Sequence, residues 1–338
     1  MKKIQVLMST YNGEKYLREQ LDSILEQDCE RLGIAGLSIL VRDDGSSDGT
    51  QKILQEYSTI YPEKLRWVQG KNCGVIQSFF ELLVNAEADA EYYAFADQDD
   101  YWMTDKLSSG IRALEKYDTC GCADNSADLS VEAVTSMKNP LLYCCRPKLV
   151  GAELAELPVD IKRPPVRVGF GNALLENVVT GCTIVMNKDL REMVIEELPQ
   201  FTTMHDRWLY LVAACFGRVI YDETPHICYR QHGGNVMGTS NSRFAEFKER
   251  LLRFRKRRTD ISRQTAEFLR IYGDLSRKSF SYYAEDERVR ECLVLAEELV
   301  AAKHSLKKRV QLVRSNKLYR QRKNDDRVFK LIILLGSY

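Results

Sequence analysis

Four short, mainly apolar runs (residues 4–8, 37–41, 65–68 and 92–96) alternate with segments whose apolar residues recur at helical spacing. Leu17, Leu21, Ile24 and Leu25 mark the first such segment, Ile53, Leu54 and Tyr57 the second, and Phe79, Phe80, Leu82 and Leu83 the third. Unbroken apolar runs suit strands covered on both faces. Their alternation with helices predicts βαβ units around a mostly parallel sheet, an α/β fold. Each run stops at a polar loop: Ser9-Thr10-Tyr11-Asn12-Gly13, Asp43-Asp44-Gly45-Ser46-Ser47-Asp48, a loop with Asn72 and Gly74, and Asp97-Gln98-Asp99-Asp100. Such sheets bind ligands beyond the carboxyl ends of their strands, so these clusters predict where the chemistry lies. Further strands are expected at 141–145 and 183–186 and a helix at 208–216, and the chain beyond Phe244 reads as helical.

The net charge of +1 hides a division. From Arg243 onward 25 Lys/Arg stand against 13 Asp/Glu, so the first 242 residues are acidic and the remainder strongly basic. An acidic body attracts polyanions poorly, and a phosphate site within it needs a metal or a local device. Asp97 and Asp99, one residue apart at a strand end, offer oxygen ligands to Mg2+ or Mn2+, a cation whose remaining positions can take substrate phosphates. The same carboxylates could instead form a solvated turn before the helix opened by Thr104 and Asp105. Asp43-Asp44-Gly45-Ser46 also has two readings. Asp-Gly-Ser is turn chemistry, with Ser47, Asp48 or Thr50 as helix caps. A turn needs only one Asp, however, and a second carboxylate at the sheet edge can accept a pyrimidine N–H. Ser9, Thr10 and Tyr11 could add backbone contacts and a ring against that base, though Tyr11 equally suits a core.

Competing folds lack their marks. No G-x-G-x-x-G follows the first strand, no P-loop lysine motif is present, and the first loop lacks the Arg and Lys of a nucleotidyltransferase. The ten cysteines form no C-x-x-C pair and read as small buried hydrophobes of a reducing compartment. The residues before Ser9 are too few for a secretory signal, and no run approaches the roughly 20 apolar residues of a membrane span. The expected location is the cytoplasm, on the inner face of the plasma membrane.

These clusters, in their order and near their spacing, resemble the family 2 inverting glycosyltransferases of GT-A fold across roughly residues 1–120. Gly181-Cys182-Thr183, His205-Asp206-Arg207-Trp208 and Tyr229-Arg230-Gln231-His232-Gly233-Gly234-Asn235 look like that family's later blocks, closest to its bacterial rhamnosyltransferase branch. The resemblance implies a nucleotide-binding half (1–120) and an acceptor half (121–242) of one catalytic domain, followed by a basic helical region (243–338). It implies that Ser9, Tyr11 and Asp44 hold the base, with Thr10, Asp43 and Asn72 beside the nucleotide. Asp97 would lie near ribose and metal, Asp99 would ligate the cation, and Asp206 would be the general base. Where the family often has Glu-Asp or Asp-Asp, this chain has His205-Asp206. Gly181, His205, Arg207 and Trp208 are expected at the sugar or acceptor pocket. On their own chemistry, Asp206 could equally cap the helix that follows, and Trp208 could stack on a sugar or pack as core. His232 could touch the diphosphate, complete the metal shell or be a loop histidine. The implied donor is dTDP-rhamnose, with a UDP-hexose as alternative. A catalytically silent sugar-nucleotide-binding scaffold is the reading from another class.

Arg253-Phe254-Arg255-Lys256-Arg257-Arg258, Lys307-Lys308-Arg309 and the apolar stretch 328–335 suggest attachment to an anionic membrane surface, where a lipid-linked acceptor would lie. Aromatic residues are not interleaved with the basic ones as a base-stacking platform, so nucleic acid is not an expected partner.

Overall fold

The computed structural model describes residues 2–118, 138–157, 165–231 and 259–338. His232 and the basic run 253–258 lie outside the described residues. The chain forms two compact units. The first comprises the described parts of 1–161, 179–198 and 204–230, and the second those of 162–178, 199–203 and 231–338.

In the first unit β1 (Lys2–Thr10), β2 (Ala35–Asp43), β3 (Leu65–Gln69) and β4 (Tyr92–Ala96) are all parallel, separated by α1 (Leu17–Leu25), α2 (Thr50–Ile60) and α3 (Val75–Asn85). β1 lies between β2 and β4, and every residue of β4 is buried, which is why the run is apolar without alternation. Register explains how distant polar clusters meet. Thr10 pairs with Asp43, Asp43 with Gln69 and Met8 with Ala96, so the four polar loops leave the sheet at one edge.

The sheet continues through β6 (Leu141–Cys145), β8 (Val185–Asn187) and β9 (Arg218–Asp222), in the order β3-β2-β1-β4-β8-β6-β9. β8 runs antiparallel to β4, with Ala94 opposite Val185. An antiparallel strand starts where its neighbour ends, so the 3-10 turn Gly181–Thr183 that precedes β8 arrives at the carboxyl end of β4. A second, three-stranded sheet sets β10 (Ile227–Arg230) between β5 (Tyr101–Trp102) and β7 (Lys148–Val150). α4 (Lys106–Asp118) follows β5. The second unit gathers α5 (Phe170–Ala173) with α8 (Asp260–Tyr272), α9 (Glu287–Ala302), α10 (Leu306–Arg314) and α11 (Lys323–Leu334). Phe170, Phe268, Tyr272 and Phe280 form its aromatic chain, with successive ring centroids 5.0–5.5 Å apart. Among the described residues no helix is long and apolar enough to cross a membrane.

α6 (Lys188–Glu196) and α7 (His205–Phe216) complete the first unit. Arg191 of α6 is buried and closes the end of α3. Its Nε donates to the Leu83 carbonyl at 2.8 Å, and one terminal nitrogen donates to those of Val84 and Ala86 at 3.3 and 3.1 Å. These are carbonyls of the kind that a helix end leaves without an internal partner. Arg191→Met should therefore lower stability by about 2–3 kcal/mol, chiefly from carbonyls left buried and unpaired. Urea unfolding with an unchanged m-value checks this, and an unchanged midpoint would contradict it.

Candidate active site

The loop after β4 is clamped from two sides. From the β1 end, Gln98 accepts hydrogen bonds through Oε1 from the Thr10 hydroxyl at 2.6 Å and the Tyr11 amide at 2.8 Å, and its Nε2 donates to the Tyr11 carbonyl at 3.1 Å. From β10 comes Arg230, buried with its guanidinium 4.5 Å from the centre of the Tyr16 ring. Its amide donates to Asp100 Oδ1 at 3.0 Å, its Nε donates to the Asp99 carbonyl at 2.8 Å, and its terminal nitrogens reach the Ala152 carbonyl and the Glu19 carboxylate. Arg230 fixes the backbone of the acidic loop at Asp99 and takes one carboxylate oxygen of Asp100 through its amide. In the sequence Arg230 stands within the block 229–235 with nothing local to mark this role.

Within this loop Asp97, Asp100 and Cys182 place one oxygen or sulfur each within 4.8 Å of one another. Continuing the β4–β8 register beyond Ala94 and Val185 sets Cys182 against Asp97. Asp100 is fully buried, and its Oδ2 has no hydrogen-bond partner among the described residues. Burial raises the Asp97 and Asp100 carboxyls well above the ordinary carboxylate range. The charge of Asp99 pushes both further, and that of Asp206 adds to the effect on Asp97. Burial likewise drives the Cys182 thiol upward, with the charges of Asp100 and Asp97 adding to it, so it stays protonated. A neutral thiol is a poor ligand for a hard cation. The oxygens of Asp97 and the unpartnered buried oxygen of Asp100 suit one, so the donor set fits Mg2+ or Mn2+. Asp99, expected as the direct ligand, is half-buried and outside the group of three, and it acts on that group through its charge.

Asp206 stands in the first turn of α7, where the helix dipole favours a carboxylate. Gly181 explains its close approach to the acidic loop. A Cβ there would lie 3.0 Å from the His205 ring nitrogen and 3.7 Å from Asp206 Cβ, so a larger residue would crowd the His205 ring where the turn meets α7. Asp206, Gly181, Cys182, Asp97 and Asp100 thus converge from three separate stretches of chain.

The nucleotide side is built differently from the expectation. Asp43 is fully buried and holds the turn after β2, accepting from the Ser46 amide and hydroxyl and from Gln51 Nε2 at 2.8 Å. Asp44 is buried against Arg42, and its oxygens accept from the Cys73 and Gly74 amides, each at 2.9 Å. Burial opposes its ionisation, yet the Arg42 bond and these amides hold its carboxyl below the ordinary range. Both carboxylates, expected on the ligand, are therefore committed to the walls of the site. Gly45, at φ 84°, makes the turn between them. Ser9 shares a 2.6 Å hydrogen bond with Ser78, Asn72 is exposed, and the Tyr11 ring stands 49% exposed at the strand end, free to cover a base.

Two residues expected at the sugar pocket lie instead in the core. Trp208 is fully buried within α7, and Arg207 beside it is half-buried. The His205 ring stacks on Phe79 at 4.1 Å and meets Phe95 edge-on at 5.4 Å. Neither of its nitrogens has a hydrogen-bond partner, and burial lowers its pKa to about 3. An unfolded histidine titrates near 6.5, so between pH 3 and 6.5 the unfolded chain binds the extra proton and stability falls as pH falls. His205 should cost the fold about 2 kcal/mol between pH 7 and pH 5. In His205→Phe that part of the acid loss should vanish, as read from paired denaturation curves. Parallel pH profiles for the two proteins would contradict it.

Residues 5–145 match Glycosyl transferase family 2. The dTDP-rhamnosyl transferase RfbG of Shigella flexneri is 28% identical over 251 residues, 71% of this chain and 77% of that protein. An uncharacterized glycosyltransferase of Rickettsia prowazekii is 23% identical over 262 residues, 76% and 72% of the two chains. Among solved structures, residues 1–349 of S. aureus TarS, crystallised with UDP-GlcNAc, superpose with a TM-score of 0.53 at 17% identity, covering 98% of this chain and 90% of that one. The order of strands and the loops at their carboxyl ends accord with these likenesses: the fold is GT-A-like, and residues 5–145 are the part similar to Glycosyl transferase family 2.

Proposed function

We propose that this glycosyltransferase is inverting, that its donor is dTDP-L-rhamnose, and that its acceptor is a hydroxyl of a lipid-linked or other saccharide in cell-surface polysaccharide synthesis. The observation that carries the chemistry is the convergence of Asp206 with Asp97 and Asp100 beyond the end of β4, close enough for the Asp206 charge to raise Asp97. The likeness to the Shigella dTDP-rhamnosyl transferase supports the donor.

In this reading Asp206 accepts the proton of the acceptor hydroxyl as its oxygen attacks the anomeric carbon. The bond from that carbon to the diphosphate oxygen breaks on the opposite face, and its electron pair leaves with the nucleoside diphosphate. A divalent cation held by Asp97 with Asp99 or Asp100 supplies, when bound, positive charge for the leaving diphosphate. Tyr11 covers the base, and the loop 70–74, pinned by Asp44 and Arg42, forms the wall beside it. Gly181 keeps the turn close to Asp206. Gln98 and Arg230 hold the acidic loop still, so little reorganisation remains for the transition state.

The test is a thermal-shift titration with dTDP and with UDP, each with and without Mn2+. A ligand at about 100 times its Kd adds about 2.7 kcal/mol to the folded state. A Mn2+-dependent shift with dTDP, abolished in Asp97→Asn, is the expected result. A shift with UDP alone would replace the donor, and no shift with either nucleotide would sink the transferase reading. Asp206→Asn should keep the nucleotide shift and lower transfer by about 10²–10⁴-fold, the usual worth of a general base. Undiminished transfer in that variant would remove Asp206 from the mechanism.

A further inference from the structure

α10 and α11 of the second unit carry a surface that glycosyl transfer does not require. Between Leu306 and Leu335 ten Lys/Arg stand against two Asp/Glu. Three of the ten are engaged: Arg309 donates to the Leu334 carbonyl at 2.7 Å, Arg320 pairs with Glu176 at 3.4 Å and Lys330 with Asp326 at 2.9 Å. Lys307, Lys308, Arg314, Arg322, Lys323 and Arg327 are exposed, and none has an ion pair among the described residues.

The apolar residues beside them fall into two sets. Phe329 and Ile333, four apart, are buried and attach α11 to its unit. Val328, Leu331 and Leu335, at i, i+3 and i+7, share another face and are 56%, 61% and 75% exposed. The Arg309 bond to Leu334 brings the first turn of α10 beside the last turn of α11. Leu306, 62% exposed, and Lys307 and Lys308 stand in that first turn of α10. Large aliphatic groups in water, bordered by unpaired cations, form an amphipathic surface whose charge and apolar face suit one class of partner.

We propose that the Val328–Leu331–Leu335 face and its basic border dock on an anionic lipid surface. The aliphatic side chains enter the headgroup boundary while the lysines and arginines meet lipid phosphates. A second copy of the chain would bring this concentration of like charge against itself, which disfavours it as the occupant. Bases would find no aromatic ring to stack on among Leu306, Val328, Leu331 and Leu335. The proposal deepens the reading of a lipid-linked acceptor and rests on that reading only for its purpose.

The test is flotation of the full chain with vesicles of phosphatidylcholine alone or mixed with phosphatidylglycerol. Binding is expected only to the mixed vesicles, and it should weaken at about 0.5 M salt, where charge is screened within a few ångströms. Lys307→Gln/Lys308→Gln should bind roughly 25-fold more weakly, about fivefold per charge removed. Leu331→Gln/Leu335→Gln should bind at least about tenfold more weakly through loss of apolar insertion. Absence of binding to the mixed vesicles, equal binding to neutral ones, or wild-type binding by both variants would overturn the proposal. A dimer of the unmodified chain that dissolves in the leucine variant would overturn it too, naming a second copy as occupant. Nucleotide thermal shifts measured alongside separate the two readings. Lost vesicle binding with the nucleotide shift intact assigns the effect to this surface. Vesicle binding with no nucleotide shift in the unmodified chain upholds the surface and removes the transferase reading.

Discussion

Negative charge crowded beyond the end of β4 is the constraint around which the first unit is built. Burial raises the carboxyls of Asp97 and Asp100, and the charges of their acidic neighbours, Asp99 and Asp206 for Asp97 and Asp97 and Asp99 for Asp100, raise them further. Left to themselves such groups would separate or hold protons. Here the backbone prevents separation. Arg230 binds the loop at Asp99 and Asp100, Gln98 ties it to β1, and the antiparallel entry of β8 presses Cys182 against it. What remains is a site that must bind either protons or a cation, and a site of that kind is suited to receiving a metal-bound diphosphate.

Lys106 belongs to the same balance. It is fully buried at the start of α4, its ammonium 3.3 Å from the centre of the Trp102 ring and without a hydrogen-bond partner. Burial lowers its pKa to about 8, while the charge of Asp100 favours its protonated form. A buried ammonium is costly unless something offsets it, and here the ring face and the acidic loop do so. The lysine in turn lowers the energy of negative charge on Asp100. It is a structural counter-charge, whereas Arg230 is a structural clamp.

The parts legible in the sequence were those governed by local rules. Central parallel strands are buried on both faces, so β1, β2 and β4 appear as mainly apolar runs, and the polar loops at their ends mark the ligand edge. Other parts depended on tertiary partners that no spacing reveals. Asp43 and Asp44 look alike in sequence, yet one closes a turn with Ser46 and Gln51 while the other binds Arg42 and a loop some thirty residues away. Arg230 lies 130 residues from Asp100 in sequence, and strands as short as Tyr101–Trp102 leave no pattern to read. His205 and Trp208 looked like site residues because they form a polar cluster before a helix. That helix is buried on nearly all sides, with Leu209, Tyr210, Leu211, Val212 and Ala213 all inaccessible, so a hydrophobic period could not show which residues face inward. The grouping of residues 162–178 with the C-terminal helices was equally hidden, because it depends on contacts such as Asn172 Nδ2 to the Tyr319 carbonyl at 3.1 Å.

The division of charge along the chain then acquires a physical reason. The first 242 residues carry the net negative charge that a cation-dependent site favours, and such a body is repelled by an anionic surface. An enzyme whose acceptor is held at that surface needs attraction from elsewhere, over a range of roughly a Debye length, about 8–10 Å. Basic helices supply it, but charge alone would bind any polyanion and would be lost in salt. Exposed leucines on α11 add an interaction that salt does not screen and that nucleic acid does not offer. On the proposal above, the pairing of the two, rather than the basic composition by itself, is what would make the second unit selective for a lipid surface.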